Sequence, residues 1–203
     1  MITTEANHIR GINGLVLAGG KSTRLGKDKS LLLWYDKEQV YYQFDLLKKY
    51  CSSVFVSKAI FDESIHLPQI VDSFEVKGPY AGILSAFKFD NKCAWLVVAC
   101  DLPLFNEKDI QKLITARDPN KIATAFTSPR DSTPEPLAAI WEPSSFEILK
   151  TFLHNGYSCP RKVLMLNDIK LIEADNTESL LNVNRQDDVD RVQMILTNRK
   201  HSI

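Results

Sequence analysis

Apolar residues recur along this chain in two rhythms. Short, nearly continuous runs have the length and β-branched or aromatic content of strands: GLVLAG (14–19), VFVSKA (54–59), QIVD (69–72), AWLVVA (94–99), IATAF (122–126), LAAIW (137–141) and KLIEA (170–174). Between them the period lengthens. Val40, Phe44, Leu47 and Cys51 fall on one face of a helix predicted over 39–50, and Gly78, Pro79 and Gly82 punctuate a turn that opens a helix over 80–89. Asn106, with Asp109 three residues on, starts a helix over 107–116, and Ser144 with Glu147 forms a capping-box pattern for a helix that Gly156 ends. A shorter helix follows Pro160, and Asn184 with Asp187 caps a last helix of about three turns.

The first half therefore reads β-α-β-β-α-β, and the alternation continues to the end. Such an order predicts a mostly parallel, twisted sheet covered on both faces, the doubly wound α/β class, whose ligands settle outside the carboxyl ends of the strands. No repeat, low-complexity tract or Ser/Gly linker divides the chain, so residues 1–203 are expected to form a single three-layer domain. The Pro-rich stretch TSPRDSTPEPL (127–137) reads as a long loop, either a boundary between the core and a C-terminal lobe or a substrate loop.

Charge narrows the function. Lys plus Arg and Asp plus Glu are equal at 25 each, which argues against a polyanion partner such as duplex DNA. The opening MITTEANHIR has no apolar signal core and AWLVVAC (94–100) is too short to span a bilayer, so an unprocessed cytoplasmic protein without membrane or nucleic-acid partners is expected. Cys51, Cys93, Cys100 and Cys159 are scattered, with no CxxC pair and no His at metal-ligand spacing, and suggest neither a zinc site nor a disulfide framework.

Against this neutral background, LVLAGGKSTRLGKDKSLL (15–32) places Lys21, Arg24, Lys27 and Lys29 within nine positions. If GLVLAG is the first strand, Gly19 and Gly20 stand at its carboxyl end, where glycines let backbone N–H groups approach phosphate oxygens. The cationic side chains would surround that anion, and a nucleoside triphosphate is the natural candidate. It is not a P-loop, because five residues separate Gly20 from Gly26 and Asp28 follows Lys27, and GxGxxG is absent. A solvated cationic face is the alternative. A second element shifts the balance: in AWLVVACDLPLF, Asp101 directly follows an apolar strand that Pro103 stops. A carboxylate there can hold Mg²⁺, which binds through one or two carboxylates plus substrate phosphates, whereas a lone Asp would only cap a turn. Cys100 reads as a buried strand residue.

These residues carry a resemblance. Leu17 to Leu32 resembles the LAGGxSxRMGxDKxLL signature of the MobA-like nucleotidyltransferases, with Leu25 in place of Met. It continues through IVDS (70–73), GPYAGI (78–83), CDLP (100–103), PLAAIWEP (136–143) and NVN (182–184), and is closest to the molybdenum cofactor guanylyltransferases. The resemblance implies a Rossmann-like fold of the nucleotide-diphospho-sugar transferase type, with a nucleotide-binding half at about 12–105 and an acceptor-binding half at about 106–203. It implies Mg²⁺-dependent transfer of GMP from GTP to the phosphate of molybdopterin, with pyrophosphate leaving, and contact with molybdopterin-synthesis or molybdoenzyme proteins.

By the same resemblance, Leu17, Ala18, Gly19 and Gly20 match backbone contacts to the nucleotide, and Lys29 matches the phosphate-facing lysine. Arg24 neutralises the leaving pyrophosphate, Asp101 is the Mg²⁺ ligand, and Asp72 contacts the nucleotide. Asn182 and Asn184 are placed near metal and acceptor, although Asn184 is equally a helix cap. Gly82 and Tyr80 either approach the nucleotide or only shape their turn. Arg161 and Lys162 either meet the acceptor's phosphate or form a basic surface. Ser57 stands where family members often carry Asn, which weakens strict guanine selectivity. A transferase for CTP or another triphosphate and a different phosphorylated acceptor, or a non-catalytic nucleotide-binding protein, remain the alternatives.

Overall fold

In a computed structural model, residues 11–18 and 29–200 are described, Lys29 and Lys200 through their backbone alone. The elements run β1 (Ile12–Leu17), β2 (Leu33–Trp34), β3 (Lys37–Glu38), α1 (Gln39–Lys48), β4 (Val54–Lys58), β5 (Gln69–Val71), α2 (Pro79–Phe89) and β6 (Ala94–Ala99). They continue with α3 (Glu107–Ala116), β7 (Ala123–Thr127), β8 (Pro134–Trp141), α4 (Ser145–His154), α5 (Pro160–Met165), β9 (Lys170–Ile172) and α6 (Gln186–Lys200). Short 3₁₀ turns cover Lys29–Leu31 and Thr177–Leu180.

Seven strands form one sheet in the order β5-β4-β1-β6-β8-β7-β9. β8 is antiparallel to both of its neighbours, while every other pairing is parallel. The expected single, mostly parallel α/β domain is therefore present.

Strand alternation sorts the core into two layers. Ile12, Val16, Leu96 and Val98 join Val40, Phe44 and Leu47 of α1 and Ile110 and Leu113 of α3 on one side of the sheet. Leu15, Leu17, Trp95 and Val97 join Tyr80, Ile83, Leu84 and Phe87 of α2, with Leu149 of α4 and Val163 of α5, on the other. A third cluster of Trp34, Leu104, Val183, Val189 and Val192 pins α6 to the β2–β3 hairpin and to the segment after β6. Among the described residues, no helix is long and apolar enough to cross a membrane.

Several local expectations change. The 127–137 stretch is not all loop, because β8 begins at Pro134. Its first residues pair with β7, while the pairing with β6 runs only from Ala138 to Trp141, so Pro134 and Pro136 occupy an edge where a missing N–H is tolerated. The Asn106 capping box forms in both directions, but the one at Ser144 does not. Residues 142–146 are already wound, with Ser145 N–H on the Glu142 carbonyl and Phe146 N–H on the Pro143 carbonyl, so Ser144 lies in the helical region and cannot cap. Helix α6 starts at Gln186, and Asp188 rather than Asp187 accepts the Asn184 and Arg185 N–H groups, at 2.8 and 2.9 Å. The β2–β3 hairpin escapes the sequence reading because its left-handed residues are Tyr35 and Asp36 (φ 55° and 60°) rather than Asn or Gly. Tyr35 is held there by stacking on Tyr42 at 4.6 Å.

Candidate active site

Parallel pairing brings the carboxyl ends of β4, β1 and β6 to one edge. Leu17 lies opposite both Ser57 and Ala99. The ladder runs one step further, with Ala18 N–H on the Ser57 carbonyl at 3.2 Å and Cys100 N–H on the Leu17 carbonyl at 3.1 Å. Leu17 and Ala18 thus end β1 beside the segment that carries Asp101. Gly19, Gly20 and Arg24 lie outside the described residues, as does the side chain of Lys29.

Asp101 is half-buried in a turn that follows β6, closed by Leu102 N–H on the Ala99 carbonyl at 3.2 Å. The backbone of the NVN segment docks on it: Val183 N–H donates to the Asp101 carbonyl at 2.8 Å. Val183 itself is buried in the third core cluster. In an extended stretch neighbours point to opposite sides, so with Val183 buried its half-buried neighbours Asn182 and Asn184 face away from that core. Asn184 precedes the helix cap rather than serving as it.

At the far end of the crevice, Asp72 follows β5, its N–H on the Lys58 carbonyl at 3.0 Å and its carboxylate accepting from Ser57 Oγ at 3.4 Å. Burial pushes the Asp72 carboxyl above its ordinary value, and the Ser57 bond opposes that shift. Three strand spacings separate the ends of β5 and β6, about 14 Å.

Gly82 lies in α2, packed against these strand ends. A Cβ on it would stand 2.4 Å from Ser57 Oγ and 2.7 Å from Leu17 Cδ2, so the glycine permits the close approach of helix to sheet. Tyr80 turns into the core instead, donating to the Leu149 carbonyl at 2.8 Å; burial pushes its hydroxyl up to about 12. It holds α2 to α4.

Beside Asp101 lies a group the sequence did not single out. Glu135 lies in the part of β8 beyond its pairing with β6, opposite Phe126 of β7, and close enough to Asp101 to feel its charge. Glu135 is buried, accepting from Leu137 N–H at 3.2 Å and Arg161 Nη2 at 3.1 Å. Its carboxyl is pushed up mainly by burial, with the Asp101 charge adding to the shift and Arg161 opposing it. Only the position of a carboxylate just before the apolar run PLAAIW could have marked it. Arg161 also holds Asp131 at 3.0 Å, while Lys162 lies over the Tyr157 ring at 3.7 Å, so the two expected basic residues part.

Arg161 and Glu135 line a cavity of about 350 Å³ with Ser128, Arg130, Asn182 and Arg191. Three guanidinium groups outnumber the carboxylates of Glu135 and Glu178 in the same lining, and that balance suits an anion. For a cation, Asp101 and the amide oxygens of Asn182 and Asn184 offer hard oxygen donors of the kind Mg²⁺ takes alongside phosphates. No cluster of three or more His, Cys, Asp or Glu side chains that could hold a metal occurs among the described residues. The four cysteines are free thiols, with Cys100 buried as expected.

The family model described as "MobA-like NTP transferase domain" matches residues 14–171. The molybdenum cofactor biosynthesis bifunctional protein of Synechocystis is 35% identical over 183 residues, covering 88% of this chain and 53% of that protein. The chain thus spans about half the length of that relative. The molybdenum cofactor guanylyltransferase of Campylobacter jejuni (strain RM1221) is 29% identical over 180 residues, covering 85% and 91% of the two chains. Among solved structures, molybdopterin-guanine dinucleotide biosynthesis protein A from Archaeoglobus fulgidus superposes with a TM-score of 0.76 at 19% identity, covering 92% of this chain and 99% of that one, a likeness of fold.

Proposed function

This chain belongs to the MobA-like NTP transferase family, and from that premise we propose that it transfers GMP from GTP to the phosphate of molybdopterin, releasing pyrophosphate. The observation that carries the reading is the docking of Val183 on Asp101. That bond is made to the Asp101 backbone carbonyl, and through it the NVN segment beside the arginine-lined cavity joins the turn that carries the Asp101 carboxylate.

In the proposed arrangement the nucleotide-binding half is about 12–105 and the acceptor-binding half about 106–203. Leu17, Ala18, Gly19 and Gly20 offer backbone to the nucleotide, with Lys29 and Arg24 on the triphosphate. Asp72, backed by Ser57, takes the base end, since a carboxylate suits a base with adjacent N–H donors, as guanine has. Arg161, Arg130 and Arg191 receive the acceptor's phosphate, and Glu135 fixes the Arg161 fork that presents it. An oxygen of that phosphate attacks the α-phosphorus of GTP; the bond to the bridging oxygen breaks, and its electron pair leaves with pyrophosphate. Asp101, flanked by Asn182 and Asn184, would hold Mg²⁺, which when bound neutralises the charge that gathers on the phosphates. Positioning and charge neutralisation suffice, and no side-chain nucleophile is required. A cytoplasmic setting and contact with molybdoenzyme-assembly proteins belong to the same proposal.

Incubating the protein with GTP, Mg²⁺ and molybdopterin should yield pyrophosphate and a guanine dinucleotide, and Asp101→Asn should abolish that turnover with the fold intact. Preferential binding of CTP over GTP would defeat the guanine assignment and favour the alternative triphosphate. An Asp101→Asn variant of full activity would remove Asp101 from the metal site.

A further inference from the structure

The residues that touch substrate in this proposal stand on turns, and a turn must be held. Helix α1 packs Val40, Phe44 and Leu47 against the sheet, yet the same buried helix contains two amides, Gln39 and Gln43, each with no exposed surface. Gln43 Nε2 donates to the Ala99 carbonyl at 2.9 Å and to the Leu102 carbonyl at 3.2 Å. Those carbonyls bracket Asp101. Gln39 Nε2 adds a longer bond of 3.4 Å to the Leu102 carbonyl. Since both acceptors are carbonyl oxygens, the amide orientation of Gln43 follows directly.

Resting on the placement of Asp101 proposed above, we propose that Gln43 is a positioning residue for nucleotidyl transfer: its buried amide ties the two sides of the Asp101 turn together and sets where that carboxylate stands in the crevice. Satisfying the carbonyls does not explain the amide. The Ala99 carbonyl already accepts from Leu102 N–H at 3.2 Å, and the Leu102 carbonyl from Phe105 N–H at 3.3 Å. Packing does not explain it either. The Oε1 atoms of Gln39 and Gln43 are buried with no hydrogen-bond partner among the described residues. An unsatisfied buried acceptor destabilises the fold, and leucine in its place would remove that penalty. The position keeps an expensive group whose visible product is the geometry of one turn. Two supports then meet at Asp101, the Gln43 amide from beneath and Val183 N–H from the side. Groups that orient a metal ligand without touching the metal commonly govern its affinity.

The test compares the wild-type protein, Gln43→Leu, and Leu113→Ala, a core variant in α3 on the same side of the sheet. Mn²⁺ is titrated by its electron paramagnetic resonance signal in the presence of a non-hydrolysable GTP analogue. Gln43→Leu should weaken Mn²⁺ binding about ten- to a hundredfold while Leu113→Ala keeps wild-type binding. Hydrogen exchange on the metal-free proteins reads the turn itself, and the Leu102 and Val183 amides should exchange faster in Gln43→Leu alone. Unchanged exchange at both amides overturns the proposal whatever the metal does, and so does unchanged Mn²⁺ affinity in Gln43→Leu. A wild-type protein that takes up no Mn²⁺ with the analogue instead refutes the metal placement at Asp101, and the exchange arm still decides whether Gln43 holds the turn.

Discussion

Gly82→Ala isolates the close approach that shapes the nucleotide end of the crevice. On an ordinary helix this change is favourable, because alanine exceeds glycine by ~1 kcal/mol in intrinsic helix preference. Here the added Cβ would stand 2.4 Å from Ser57 Oγ, 2.7 Å from Leu17 Cδ2 and 3.3 Å from Ser57 Cβ. The first contact can be relieved only by turning the Ser57 hydroxyl, which breaks its bond to Asp72. The second displaces the tip of the Leu17 side chain among buried neighbours, and the third needs Ser57 Cβ or α2 to give by a few tenths of an ångström. Overpacking of this kind costs about 1–3 kcal/mol. Set against the helix gain, the net loss is about 1 kcal/mol, or roughly 2–4 °C in melting temperature for a chain of this size.

Urea denaturation of the single variants and of Ser57→Ala/Gly82→Ala closes the argument as a double-mutant cycle. Removing the Ser57 hydroxyl deletes the shortest contact, so the double variant should recover most of the loss, with a coupling of about 1 kcal/mol. Triphosphate affinity should fall in Gly82→Ala, because Asp72 loses its hydroxyl partner. A Gly82→Ala protein more stable than wild type by the bare helix increment, with no coupling to Ser57, would refute the packing of α2 against β1 and β4 on which the crevice depends.

Tyr80→Phe should cost about 0.5–1.5 kcal/mol in urea denaturation, because it removes the hydroxyl bond to the Leu149 carbonyl, and should leave triphosphate affinity unchanged; a selective loss of affinity would return Tyr80 to the nucleotide site. Asp109→Asn tests a buried carboxylate in pH. Burial raises the Asp109 carboxyl above 3.8, with the Asn106 and Ser179 hydrogen bonds opposing, so the folded wild type binds its proton more tightly than the unfolded chain and loses stability as pH rises through the folded value. The variant has no such proton, and the stability difference should move in its favour as pH rises above about 4; a difference independent of pH, followed by denaturation from acid to neutral pH, would show that burial does not govern this group.

What the sequence disclosed of this site is confined to segments where chemistry sits next to a strand. Asp101 follows an unbroken apolar run, and Leu17 and Ala18 end another, so their meeting at one edge follows from parallel pairing alone. Asn182 and Asn184 were visible as a short repeat around Val183, but which role they take depends on the helix starting at Gln186. Gln43 was hidden because a single amide among Val40, Phe44 and Leu47 looks like an interruption of an apolar face. Its partners are 56 and 59 residues away. Arg161 and Lys162 were indistinguishable as neighbours; one points to the cavity and the other to Tyr157 because a helix turns adjacent residues apart.

Strand direction is the remaining part that alternation cannot encode. Hydrophobic period reports which face a strand buries and is the same read forwards or backwards. Were β8 parallel to β6, its carboxyl end at Trp141 would arrive at the ligand edge and Glu135 would lie at the opposite one. Because β8 runs against both neighbours, its first residues reach the carboxyl ends of the parallel strands. The segment before it, with Ser128, Arg130 and Asp131, comes to the same edge, where Asp131 and Glu135 grip Arg161. A prolyl lead-in that reads from sequence as a boundary or a substrate loop thus becomes a wall of the cavity, and one reversed strand brings Glu135 to the edge where Asp101 stands.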